Sequence, residues 1–103
     1  MKQLTVIVKP FRTEPVLRAI QALEVDACIV REVKGYSRQK GYLDRYVGSE
    51  YSVAFLPKVE IAVWVHDSRA QEVAEKLAHA ARTGRMGDGK ILIIDVPIQA
   101  LEF

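Results

Sequence analysis

Residues 82–90, RTGRMGDGK, gather three glycines, three cations and one carboxylate at a single turn. Arg82, Arg85 and Lys90 supply positive charge. Glycines let main-chain N–H groups converge as an anion-binding nest with no Cβ in the way. That combination suits a phosphate. The competing reading is a helix end followed by a tight turn, with Gly84 where a left-handed residue closes a helix. One glycine satisfies that reading and leaves Gly87 and Gly89 over, which favours the cradle. The spacing G-x-x-x-x-G-K over residues 84–90 imitates a P-loop, but Ile91 stands where a Mg²⁺-binding Ser or Thr is needed. A P-loop also runs from strand into helix, and this turn follows a helix-like run and precedes a strand-like one.

Other chemistries find little support. Cys28 is the single cysteine, so no intrachain disulfide forms, and its setting in ACIV reads as a buried, inert strand thiol. His66 and His79 lack partners at metal-ligand spacing. No nucleophile–base pair or carboxylate pair can be placed in one cleft, so an enzyme is not expected. A net charge of +2 is too small to point to nucleic acid as a partner. No apolar stretch is long enough for a transmembrane helix, and MKQLTVIVKP reads as a strand, not a signal peptide, which makes the cytoplasm the expected location.

The turn must be held by elements on either side. At 103 residues the chain is expected to be one domain. QLTVIVK alternates as a strand, with Leu4, Val6 and Val8 on one face and Thr5 and Ile7 on the other. Thr13 is placed to cap a helix in which Val16, Ile20 and Leu23 recur at helical spacing. ACIVREVKGY and KVEIAVWVH read as the second and third strands. Ser68 with Gln71 has capping-box spacing for a second helix, whose stripe is Ala70, Val73, Ala74, Leu77 and Ala81. Arg82 suits that helix's C-terminus. KILIIDV is the fourth strand, apolar on both faces.

The order β-α-β-β-α-β predicts an α+β, ferredoxin-like sheet with both helices on one face. Two helices cover only one face, so the other is expected to pack against further copies. The 19 residues SRQKGYLDRYVGSEYSVAF are too long for a hairpin. Their Tyr42, Tyr46, Tyr51 and Phe55 suit a surface that docks on partners.

Together EVKGYSRQKG (32–41), GSEYSVAFLPK (48–58), ARTGRMGDGKI (81–91) and VKPF (8–11) resemble the PII nitrogen-regulatory signal transduction proteins, collinearly over roughly residues 1–96. The resemblance implies a single PII-like domain, 1–103, assembled as a homotrimer with nucleotide sites between neighbours. The T-loop would be about 37–55, the B-loop about 82–90, and a short C-terminal segment 97–103. Gly35, Arg38, Thr83, Gly84, Arg85, Gly87, Asp88, Gly89 and Lys90 fall at ATP- or ADP-contacting positions. Gln39, Lys40, Gly41, Lys58 and Gly87 match positions near Mg²⁺ and 2-oxoglutarate, with Gln39 as the metal ligand, only alongside bound nucleotide, and Lys58 as a carboxylate partner. Tyr51, alternatively Ser49, matches the position covalently modified by a partner enzyme. The T-loop would bind a target membrane transporter or a metabolic or regulatory enzyme.

The chain also departs from the family pattern. Leu101 and Phe103 stand where an R-x-R-like pair reaches the phosphates. Ile29 replaces a small polar residue common near the adenine, and Ala62 a common glutamate. Losing two charge-assisted hydrogen bonds at about 1.5–3 kcal/mol each weakens affinity by at most roughly two to four decades. The alternative implied is a divergent interaction module with weak or altered ligand binding, associated with a transport system.

Overall fold

Alternation of apolar residues on both sides of Thr5 makes β1 (Lys2–Val8) a strand, and it lies at the centre of the sheet. The computed structural model describes residues 1–25, 27–35, 56–84 and 89–97. Within them β1 is followed by a 3-10 turn at Pro10–Arg12, α1 (Thr13–Leu23), β2 (Ala27–Gly35), β3 (Leu56–Val65), a second 3-10 turn at Asp67–Arg69, α2 (Ala70–Ala81) and β4 (Gly89–Asp95). All pairings are antiparallel and the strand order is β2-β3-β1-β4, the expected ferredoxin-like arrangement.

Register decides which side chains share a face, because directly opposed residues point the same way. Leu4, Val6 and Val8 face the helices with Val59, Ile61, Val63 and Val65. There they meet Val16, Ile20 and Leu23 of α1 and Val73 and Leu77 of α2 in one buried cluster. The helices shield the two central strands and leave the flanks open. β2 is exposed along nearly its whole length, and Ile93 of β4 stays exposed on the helix side. Cys28 is therefore exposed, not the buried thiol expected from its neighbours. It lies on a flanking strand beyond the reach of α1.

Local expectations at the helix starts also need correction. Thr13 is the first residue of α1, not its cap, and its hydroxyl is buried without a hydrogen-bond partner among the described residues. Ser68 and Gln71 form no capping box. His66 accepts from the Ser68 N–H at 3.3 Å, and Gln71 donates to Glu75 at 3.1 Å. At the end of α1, Glu24 takes a left-handed φ of 51° that a non-glycine residue rarely adopts. Arg69 holds it there by donating to the carbonyls of Leu23 and Glu24, the latter at 2.8 Å. The Met1 ammonium lies 2.7 Å from Asp67, and Lys2 pairs with Asp95. These contacts fasten the chain start to the turn before α2 and to β4.

Candidate ligand site

The turn after α2 is built by a helix that ends on time and a strand that starts under constraint. Arg82 leaves helical geometry with ψ 141°, while its N–H still reaches the Ala78 carbonyl at 3.1 Å. Gly84, two residues on, has φ +84°, so the helix-end reading is correct for it. Gly89 also has a structural cause. A Cβ there would lie 2.3 Å from the Ile7 carbonyl oxygen, which no side chain tolerates. Two of the three glycines thus serve the backbone, leaving Gly87, which with Arg85 and Asp88 lies outside the described residues. Between the end of α2 and the start of β4 is a recess of ≈ 400 Å³ whose lining includes Arg82, Gly84, Gly89 and Lys90.

Across the face away from the helices, register sorts side chains into rows. One row is Arg31, Glu60, Ile7 and Lys90, with Arg31 paired to Glu60 at 2.7 Å. The next is Ile29, Ala62, Thr5 and Leu92, and the third is Ala27, Trp64, Gln3 and Ile94. Lys58 of β3 lies beyond the first row, opposite Val33, and is 8% exposed. Burial holds its pKa below the usual lysine value, and the charge of nearby Lys9 pushes the same way. Among the described residues Lys58 has no ion-pair partner. The face is thus cationic at the end where β2 runs into segment 36–55 and apolar beyond it. Ile29 is 50%, Leu92 48% and Ile94 48% exposed.

The family model for nitrogen regulatory protein P-II matches residues 1–98. The chain belongs to the P-II family. It is 47% identical over 96 residues to nitrogen regulatory protein GlnK of Escherichia coli K12, covering 93% of this chain and 86% of that one. The P-II proteins of Rhizobium meliloti and Azospirillum brasilense are 45% and 44% identical over the same shares. P-II membership makes this chain a signal-transduction regulator of the nitrogen-regulatory type and not an enzyme.

Of the P-II site residues expected from sequence, the structure describes Gly35, Lys58, Thr83, Gly84, Gly89 and Lys90. Gly35 ends β2 opposite Leu56, so β3 begins beside the point where β2 stops. Lys90 sits opposite Ile7 in the charged row. Arg38, Gln39, Lys40, Gly41, Ser49, Tyr51, Arg85, Gly87 and Asp88 lie outside the described residues, as do Leu101 and Phe103. The partial burial of Lys58 was not legible in the sequence, because alternation alone places it on the open face. Among the described residues no group of three or more His, Cys, Asp or Glu could hold a metal ion. No helix among them is long and apolar enough to cross a membrane.

Proposed function

We propose that the chain is a homotrimeric P-II regulator that binds ATP or ADP between protomers, with Mg²⁺ and 2-oxoglutarate as effectors. Segment 37–55 acts as the T-loop on a target transporter or metabolic enzyme in nitrogen regulation. The observation that carries this reading is the polarity of the open sheet face. Lys58 and Lys90 mark one end, and a contiguous apolar surface follows. A phosphorylated ligand with a flat aromatic part fits that order, its charge answering cations whose burial is otherwise uncompensated. The exposed apolar rows suit both a ligand and a neighbouring protomer.

Arg38, Thr83, Gly84, Arg85, Gly87, Asp88, Gly89 and Lys90, with Gly35, are the nucleotide contacts in this reading. Gln39, Lys40, Gly41 and Lys58 serve the 2-oxoglutarate and Mg²⁺ side, with Gln39 as a carbonyl ligand to the metal. Tyr51, or Ser49, is the hydroxyl open to a modifying enzyme. Ligand binding shifts the population of T-loop conformers toward those that touch the ligand.

Calorimetry with ATP, ADP and AMP, with and without 2-oxoglutarate, tests the proposal. Lys90→Ala and Arg38→Ala are expected to weaken nucleotide binding by roughly tenfold or more each while the trimer persists. Loss of the trimer in both variants would assign these residues to structure. A second reading, an interaction module with a vestigial nucleotide site, draws on the backbone duties of Gly84 and Gly89. It predicts no heat at millimolar nucleotide.

A further inference from the structure

The open face offers cations at one end, but the row that follows offers almost nothing that could read a base. Ile29, Ala62 and Leu92 carry no polar side-chain atom. The fourth member, Thr5, is 8% exposed, and its hydroxyl already accepts from the Gln3 amide at 3.2 Å. Ala62 and Thr5 belong to β3 and β1, each paired on both sides, so their main-chain donors and acceptors are committed to the ladder. One row further lies half-buried Trp64, the chain's single tryptophan. Successive rows on one face are about 6.5–7 Å apart. A sugar bridges that span between a phosphate at the lysine end and a ring on the apolar row.

We infer that this site selects its ligand by phosphate charge and aromatic area, and binds purine nucleoside triphosphates without discriminating adenine from guanine. The inference rests on the nucleotide reading above and fixes the specificity of that site. Apolar and stacking contacts accept any base, since every base has a π-face. Strong rejection of a near analogue requires a side chain that hydrogen-bonds the distinguishing group. At position 62 a carboxylate would accept from the exocyclic amine of adenine and oppose the oxo group of guanine. Alanine does neither.

The test uses the whole chain and measures ATP, GTP and inorganic tripolyphosphate by calorimetry, with Trp64 fluorescence as an independent report of a base on the apolar face. ATP and GTP are expected to bind within about fivefold of each other, less than one net hydrogen bond supplies. Tripolyphosphate is expected to bind roughly 5- to 150-fold more weakly, the loss of one stacked base. Ala62→Glu should introduce a preference for ATP of about tenfold. Far-UV circular dichroism checks its fold, and Ile29→Thr provides a milder second variant that should move the ratio in the same direction. A wild-type preference for ATP of about tenfold or more overturns the inference and leaves the proposed function standing. So does tripolyphosphate binding as tightly as ATP. If none of the three binds, the proposed function falls, and this inference with it.

Discussion

Lys58 is a cation that the fold holds at a cost. Its surroundings disfavour the charged form, and among the described residues no carboxylate offsets this. Since its folded pKa lies below 10.5, the unfolded chain holds the proton more tightly and stability rises as pH climbs toward the ordinary lysine range. Lys58→Met is expected to raise the melting temperature of the ligand-free protein at neutral pH by about 4–8 °C, equivalent to ~1 kcal/mol. The same variant should lose any stabilisation by anionic ligands, so thermal scans with and without ligand separate the two effects. Sequence spacing could place Lys58 on the open face, but its burial depends on strands brought together from distant parts of the chain. Cys28 makes the complementary point. Apolar neighbours in sequence marked it as core, and its position on a flanking strand exposed it.

Strands and helices were legible because their apolar periods are regular, and each observed element coincides with an expected one within a residue or two. Their ends were less so. The residues at the helix starts were read as local caps, whereas the structure uses distant partners such as Arg69 on the Glu24 carbonyl. Gly89 looked like part of an anion nest, and its constraint comes from the Ile7 carbonyl on the neighbouring strand. Gly89→Ala is therefore expected to destabilise the β1–β4 pairing by several kcal/mol, or prevent folding, with or without ligand. Urea denaturation checks this, and a loss of ligand binding in that variant would carry no information about contact. At the other end of the sheet, the Met1 ammonium beside Asp67 holds that carboxyl below its ordinary value of 3.8. The stabilisation is present above the unfolded pKa and is lost as pH falls through the depressed folded value. Asp67→Asn should therefore flatten the stability profile below about pH 4 while leaving the dependence at higher pH unchanged. Acid titrations followed by circular dichroism measure it.

At the scale of the whole molecule, the open face determines both assembly and ligand. Leu92 and Ile94 are half-exposed on a face that no helix covers. Ile94→Lys is expected to weaken self-association roughly ten- to hundredfold, from the lost burial of one isoleucine per copy, and light scattering over a dilution series reads the shift. The requirement for further copies was visible in a fourth strand apolar on both faces, because two helices cannot shield two sides. The row order on that face was not visible, since it depends on how four strands line up. That sheet also has an unpaired margin along β2 and another along β4, with main-chain groups ready to accept a stranger's strand. A newly made copy that meets its siblings slowly is thus most at risk of clumping. Over-production at low temperature, or together with a binding partner, should recover more usable protein than rapid accumulation of the lone chain.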